Sequence, residues 1–102
     1  MDDKEFERLA GEALAAIEAA LENNDIDYEM LAGGVLEIDL ARGGKLVINR
    51  HAPLREIWLA GRCGAFHFSH DGKVWRDTRG GGELLTSLSR LISELSGQEF
   101  RL

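Results

Sequence analysis

The chain has 102 residues, of which 44% are apolar and 29% charged, and its formal net charge at pH 7 is −6. This length and apolar content are typical of one folded domain, and we predict a single domain over residues 1–102. No apolar run approaches the roughly 18 residues that a membrane-spanning helix needs. The acidic balance disfavours nucleic acid and anionic membranes as partners, because their phosphate groups repel it.

The N-terminus and the cysteine content both indicate the cytoplasm. The opening residues, MDDKEFERLA, are acidic, whereas a secretory signal begins with basic residues and a transit peptide is poor in acids. Cys63 is the only cysteine, so the chain cannot form an intramolecular disulfide. A lone cysteine is more often a small apolar residue than a nucleophile, and we predict an inert role for Cys63.

The charge is divided unevenly along the chain. Residues 1–40 contain twelve acidic and two basic side chains, a net charge of −10. Residues 41–102 contain six acidic and ten basic side chains, a net charge of +4. The first segment should therefore attract cations and basic protein surfaces.

The first predicted element is a helix over residues 3–23. Its apolar residues recur at spacings of three and four, which places them on one buried stripe. The members of this stripe are Phe6, Leu9, Ala10, Ala13, Ile17, Ala20 and Leu21. Asn23 and Asn24 predict the end of the helix, because asparagine tolerates the turn conformations that close helices.

Alternating strand patterns follow the helix. The predicted strands cover residues 25–30, 35–40, 46–50, 54–60, 65–69 and 73–77. Glycine pairs at 33–34 and 43–44, and Asp71-Gly72, predict tight turns between them. Because the connections are short, each strand should pair antiparallel with the next, as in a meander.

A second helix is predicted from Leu84 to Leu95, with Gly97 as its C-terminal stop. The element order is therefore α-β-β-β-β-β-β-α, and each helix has a single apolar stripe to bury. We predict an α+β fold, a two-layer α-β sandwich. Both helices pack on one face of an antiparallel sheet of about six strands, and the other face meets water.

In this fold Trp58 lies on the face of the sheet opposite the helices, which we call the outer face. Ile57 and Leu59 alternate with it and point toward the helices. The other predicted outer-face residues around it are Asn49, His51, Glu56 and His67. Trp58 is then either a cross-strand packing residue worth up to about 1 kcal/mol, or a binding anchor worth about 2 kcal/mol or more.

Carboxylates gather along the first helix and the strand that follows it. At 100° per residue, four of them fall along one edge of the helix, and three continue on the outward side of the strand. We call this set the acidic ridge; its members are Asp3, Glu7, Glu18, Glu22, Asp25, Asp27 and Glu29.

The acidic ridge has two interpretations. It is either a solvated, solubilising surface or a site for hard cations such as Mg²⁺, Ca²⁺, Mn²⁺ or iron. Gathering like charges costs stability, which favours the second interpretation. An open ridge supplies one or two ligands to each ion, so the affinity should be modest and the selectivity among metal ions low.

No enzyme motif is present, and we predict no catalytic residue. The chain lacks an EF-hand loop and an HExxH pattern. The RGGGE segment at residues 79–83 precedes a helix but lacks the lysine and serine or threonine of a P-loop. His51, His67 and His70 could ligate a metal, but their spacing does not bring them together.

Four segments together closely resemble the frataxin family. They are LVINRHAPLREIWLA at residues 46–60, GAFHF at 64–68, DGKVW at 71–75 and DTRGG at 77–81, ahead of a leucine-rich helix. The chain is most similar to the bacterial members, and the resemblance runs from the first helix to about Leu95.

The resemblance implies a role in iron–sulfur cluster assembly. Iron, as Fe²⁺ or Fe³⁺, would bind weakly along the acidic ridge, and other divalent cations would be able to replace it. A cysteine desulfurase and the cluster scaffold protein would be the partners, with regulation of cluster formation as the result. The partner-binding positions implied are Asn49, His51, Glu56, Trp58 and His67. The family resemblance also implies a monomer without iron and an oligomer that forms with iron.

The chain departs from the family at the end of the first helix, where relatives tend to crowd more acids. Here the corresponding positions are Ala19, Asn23 and Asn24. We therefore expect this chain to bind less iron than its relatives do. The acidic ridge would then matter more for docking onto a basic desulfurase surface. Two alternatives stay open: a pure protein-interaction module with no physiological metal, and an iron chaperone or ferroxidase.

Overall fold

A computed structural model describes residues 1–62 and 64–102. Cys63, and with it the predicted inert role, lies outside the described residues. The helices and strands are α1 Asp3–Asn23, β1 Asp27–Leu31, β2 Val35–Asp39, β3 Lys45–His51, β4 Glu56–Gly61, β5 Gly64–His70, β6 Trp75–Asp77 and α2 Leu84–Ser96. The spatial order of the six strands is their chain order, and every neighbouring pair is antiparallel. The predicted sandwich with a meander sheet is confirmed.

The first helix is closed at both ends by side chains. The Asp2 carboxylate accepts a hydrogen bond of 2.7 Å from the Glu5 backbone N–H, which satisfies one free donor of the first turn. At the other end the Asn24 side-chain amide donates to the Ala20 carbonyl at 2.7 Å. The predicted end of α1 at the asparagine pair is therefore correct.

Three strands begin later than their patterns predict, each because of a local turn. Asp25, at φ 55°, and Arg55, at φ 52°, are in the left-handed region and delay β1 and β4. The Asp71 side chain accepts hydrogen bonds of 2.9 Å from the backbone N–H groups of Lys73 and Val74. That turn holds the chain out of the sheet until Trp75.

One hydrophobic core lies between the helices and the inner face of the sheet. Leu14 belongs to it, at 3% exposure, although the predicted stripe omitted it. Met30 alternates with the outward acids of β1 and is therefore expected to face inward, but it is 43% exposed, because β1 is an edge strand with a neighbour on one side only. The largest fully buried side chains are Phe6, Phe68, Ile17, Leu21, Leu36, Ile38, Leu46, Ile48, Ile57, Leu59, Leu84 and Leu88.

The C-terminal tail packs back along α2, which the sequence did not predict. Phe100 is 2% exposed, and its backbone N–H and carbonyl both bond the Ser93 hydroxyl at 3.0 Å. The Leu102 N–H donates to the Ser89 hydroxyl at 3.0 Å. The serine hydroxyls of α2 thus form hydrogen bonds with tail backbone groups that would pair with a neighbouring strand if the tail were in a sheet.

Candidate functional site

The N-terminal part of the acidic ridge is neutralised by two arginines, one from β3 and one from the turn before β4. Asp3 pairs with Arg55 at 3.0 Å, and Glu7 pairs with Arg50 at 2.7 Å. Arg50 lies at the end of β3 beside Ile57, on the side of the sheet that faces α1. These two carboxylates are therefore the least available for a cation.

The C-terminal part of the ridge converges on a tyrosine. The Tyr28 hydroxyl lies 2.5 Å from Glu22 Oε1 and 3.0 Å from Glu18 Oε2. The hydrogen bond to Glu22, then desolvation, then Glu18 raise the pKa of Tyr28, so the phenol stays protonated and acts as a donor. A hydroxyl has one proton, so at any moment it donates to one of these two carboxylates.

The remaining ridge acids lie on or beside β1. Asp25 is in the turn before the strand, and the register sets Asp27 opposite Asp39 and Glu29 opposite Glu37. Like charges in directly opposed positions destabilise a sheet.

Lys45 is the basic residue of this part of the outer face. It bonds Glu37 at 3.0 Å, and that hydrogen bond is the main cause of the raised pKa of Lys45. A shallow cavity of about 130 Å³ is lined by Asp27, Tyr28, Glu29, Glu37, Asp39 and Lys45.

The acidic ridge is thus divided into three groups. Two acids are paired with arginines, two contact Tyr28 on the helix side, and three lie on or beside β1. Among residues 1–62 and 64–102, no three His, Asp or Glu side chains are close enough to form a metal site. Glu37 and Asp39 extend the ridge onto β2. Their alternation with Leu36, Ile38 and Leu40 was visible in the sequence, but only the strand register brings them beside β1.

Trp58 lies on the outer face, as predicted, but its ring is not free. The His51 imidazole stacks on one side of the indole, with centroids 3.8 Å apart and planes 7° from parallel. The His67 imidazole stacks on the other side at 4.3 Å and 8°. We call these three residues the aromatic stack. Three neighbouring strands contribute one ring each, and the register sets Trp58 directly opposite His67.

Several polar groups around the aromatic stack have one hydrogen-bond partner or none among the described residues. The Trp58 Nε1–H donates to Glu56 Oε1 at 2.8 Å, and the Glu56 side chain is only 16% exposed. His67 Nδ1 lies 3.8 Å from the same oxygen, beyond hydrogen-bond distance. Within the described part of the chain, the buried Asn49 Oδ1 and His51 Nδ1 have no hydrogen-bond partner.

The other candidates have structural roles. His70 lies apart from the aromatic stack, edge-on to Trp75, and its Nδ1 accepts from the Gly72 N–H at 3.1 Å. The N-terminus of α2 is filled by Glu83, whose carboxylate accepts from Leu85 at 2.6 Å and Thr86 at 3.3 Å. The glycine-rich segment before α2 therefore presents no anion site. Neither helix in the described residues is long and apolar enough to cross a bilayer.

The chain was compared with known families, sequences and structures. A family model described as "Frataxin-like domain" matches residues 1–98. The "Iron-sulfur cluster assembly protein CyaY" of Dechloromonas aromatica (strain RCB) is 52% identical over 100 residues, which cover 96% of this chain and 95% of that protein.

Two solved structures share the fold. Frataxin from Psychromonas ingrahamii superposes with a TM-score of 0.88 and 34% identity, covering 99% of this chain and 97% of its own. Trimeric frataxin from the yeast Saccharomyces cerevisiae, described as complexed with ferrous, superposes with a TM-score of 0.70. At 24% identity, covering 96% of this chain and 88% of its own, the yeast protein shows likeness of fold alone.

Proposed function

The chain belongs to the frataxin-like family, and we propose that it is a non-catalytic, iron-binding regulator of iron–sulfur cluster assembly in the cytoplasm. The name of its relative from Dechloromonas aromatica supports the pathway. In this proposal iron is a weakly held cargo, while a cysteine desulfurase and the cluster scaffold protein are the partners. The convergence of Glu18, Glu22 and Tyr28 is the observation that carries the iron-binding part.

The donor chemistry of the acidic ridge fits iron and other hard cations. Carboxylate and phenol oxygens are the ligands that such ions prefer. Glu18 and Glu22 share one proton donor, so a cation beside them would relieve the carboxylate that Tyr28 leaves unpaired. Since no three acids converge, water would complete the coordination shell and the affinity would be modest. Fe²⁺ is the first ion to test, given the ferrous complex of the yeast frataxin.

An Fe²⁺ titration of a neutralised ridge tests this proposal. Glu18→Gln with Glu22→Gln removes two charges but keeps acceptors for Tyr28. Glu94→Gln with Glu99→Gln, two exposed acids at the other end of the chain, is the matched control. Under anaerobic conditions we expect calorimetry to show weaker Fe²⁺ binding for the ridge variant and unchanged binding for the control. Equal affinities in the two variants would refute iron binding at this group.

The partner-binding part concerns the outer face. We propose Asn49, His51, Glu56, Trp58 and His67 as the docking residues, with the ridge acids attracting a basic desulfurase surface. The exposed part of the aromatic stack is rigid, because each ring is held by its neighbour, and a rigid surface loses little entropy when it binds. The rate of cluster formation, measured with purified desulfurase and scaffold protein, should respond to this chain and lose the response in Trp58→Ala.

A second candidate function is a protein-interaction module with no physiological metal. The pairing of Asp3 with Arg55 and of Glu7 with Arg50 favours it, because both acids are already compensated. If the desulfurase rate, measured as sulfide release, responds to this chain equally with Fe²⁺ present and with a chelator present, this second function replaces the first. Sedimentation with and without Fe²⁺ tests the proposed iron-dependent oligomer in the same preparations.

A further inference from the structure

The aromatic stack restricts how a partner can use Trp58. Imidazole rings lie 3.8 and 4.3 Å from the indole on its two sides. A partner ring or cation therefore finds no free indole face on which to stack. Recognition has to use the outer edge of the aromatic stack and the polar groups beside it. This inference deepens the docking part of the proposed function and rests on it.

Two of those polar groups, Glu56 and Asn49, are acceptors that can receive further hydrogen bonds. Glu56 is 16% exposed and receives a single hydrogen bond, from Trp58 at 2.8 Å. The Asn49 Oδ1 is buried and has no donor within the described residues. An unsatisfied buried acceptor destabilises the protein, and a charged one does so more strongly. A partner that brings several N–H donors would recover this energy on binding.

Charge on the outer face selects a cationic donor. By strand register, the acids on this face are Asp27, Glu29, Glu37, Asp39 and Glu56, and the bases are Lys45 and Arg76. Lys45 is bonded to Glu37 and Arg76 to Asp71, so neither base compensates Glu56. The surface is therefore complementary to a positive charge.

The arrangement fits a guanidinium group better than an ammonium group. Glu56 and Asn49 are diagonal neighbours across β3 and β4, a relation that spans about 7–8 Å between Cα atoms. A planar fork of five N–H donors can bond a carboxylate with one side and an amide oxygen with another, after a rotation of the half-buried Asn49 side chain. The compact ammonium of lysine is a point charge and bonds in no fixed plane.

The neighbouring row of the sheet leaves space for the aliphatic part of such a side chain. Val47, Ala60 and Ala65 lie opposite one another on β3, β4 and β5, in the row beside Trp58. Their short side chains form a low apolar floor next to the taller aromatic stack. A long cationic side chain packs its methylene groups on such a floor while its charged end reaches a carboxylate.

We propose that the partner inserts an arginine at this point of the outer face, whose guanidinium group donates to the Glu56 carboxylate and the Asn49 amide oxygen at the edge of Trp58. Arginine is thus the specificity-determining residue of the partner's docking segment. Glu56 and Asn49 are the residues of this chain that recognise this arginine.

A peptide titration followed by NMR tests this directly. The probes are acetyl-Gly-Arg-Gly-amide, the same peptide with lysine, and the same peptide with citrulline, which keeps the shape of arginine without its charge. The indole N–H of Trp58 reports binding, and that of the buried Trp75 is an internal control. We expect a saturable shift at Trp58 with the arginine peptide, and affinity at least about tenfold weaker for citrulline, since a charge-assisted hydrogen bond is lost.

Matched variants locate the contact. Glu56→Gln should weaken binding of the arginine peptide by about tenfold or more, whereas Glu94→Gln, with the same change of charge on α2, should leave it unchanged. The citrulline comparison uses the unaltered chain, so it holds even if Glu56→Gln disturbs the aromatic stack.

Several results would overturn the proposal. They are equal responses to arginine and citrulline, equal responses to arginine and lysine, full affinity in Glu56→Gln, or shifts confined to β1 and β2. The experiment contains neither iron nor desulfurase. A negative result therefore removes the arginine contact and leaves the proposed role in cluster assembly to be judged by the cluster-formation rate.

Discussion

The acidic ridge, which runs from α1 onto β1, and the aromatic stack, on β3, β4 and β5, are organised in opposite ways. On the ridge, carboxylates of like sign are brought together, and the opposed pairs on β1 and β2 receive one lysine, Lys45. In the aromatic stack, rings pack closely and a single carboxylate, Glu56, is tied to Trp58. The ridge acts through long-range charge that salt screens, and the stack through short contacts that salt leaves intact. Charge on the ridge therefore acts at a distance, whereas the aromatic stack acts only on contact.

The largest expected effect separates the aromatic stack from the core. Trp75, 6% exposed and edge-on to Phe6 at 5.9 Å, belongs to the core, and Trp75→Ala should destabilise the fold by about 3–5 kcal/mol. Trp58→Ala removes two ring contacts on the surface and should cost about 1–2 kcal/mol. Urea denaturation of the two variants measures both. If Trp58→Ala loses as much stability as Trp75→Ala, the main role of the aromatic stack is to stabilise the fold.

The ion pairs at the start of the ridge should contribute little to stability. Arg50 and Glu7 are 30% and 53% exposed, and such a pair is worth about 0–1 kcal/mol. Arg50→Gln should lower the free energy of unfolding within that range and leave the Glu7 charge available to cations. Urea denaturation measures the first effect and calorimetric Mg²⁺ titration the second. If Mg²⁺ binds Arg50→Gln no better than the unaltered chain, Glu7 is not part of the cation-attracting surface.

Removing one carboxylate from an opposed pair should stabilise the fold. Glu29→Gln relieves the repulsion between Glu29 and Glu37, and we expect a gain of about 0.2–1 kcal/mol at low salt. The gain should nearly vanish in 1 M NaCl, where the Debye length is about 3 Å. Thermal denaturation at both salt concentrations measures it, with Glu94→Gln as the control. A gain that persists at high salt would point to packing rather than charge.

The smallest expected effect appears in acid, at the turn before β6. Hydrogen bonds from the Val74 and Lys73 backbone N–H groups, then from Arg76, hold the pKa of Asp71 well below its usual value of 3.8. Its contribution to stability is present above pH 3.8 and is lost as the pH falls toward the lower folded-state pKa.

Asp71→Asn should therefore flatten the acid limb of the stability curve. Urea denaturation between pH 2.5 and 5 compares this variant with the unaltered chain over the range in which the contribution of Asp71 is lost. Identical slopes in the two proteins would contradict the role given to Asp71.

Local patterns were sufficient to predict the elements of the fold and the side of the sheet on which Trp58 lies. Alternation in a strand and three- and four-residue spacing in a helix depend on neighbours in the chain, so they can be read from the sequence. They could not reveal contacts made through strand register. The aromatic stack forms because of the pairing register of β3, β4 and β5. Glu29 lies opposite Glu37 because of the register between β1 and β2.

Long-range ion pairs could not be predicted from the sequence either. Asp3 and Arg55 are separated by 52 residues, and nothing local in the sequence links them. Tyr28 alternates with Asp27 and Glu29 in the sequence, and no local pattern links it to α1. Its contact with Glu18 and Glu22 depends on where α1 crosses the edge of the sheet.

We propose that iron binds the acidic ridge while the aromatic stack stays free for a partner. The first experiment to perform is an anaerobic Fe²⁺ titration followed by NMR, with amide signals reporting the ridge, the Trp58 indole N–H reporting the stack, and a salt control of equal ionic strength. We predict broadening confined to the amides around Glu18, Glu22 and the β1–β2 acids, with the Trp58 indole signal unchanged. Broadening centred on Trp58 and its flanking histidines, with a silent ridge, would contradict the account.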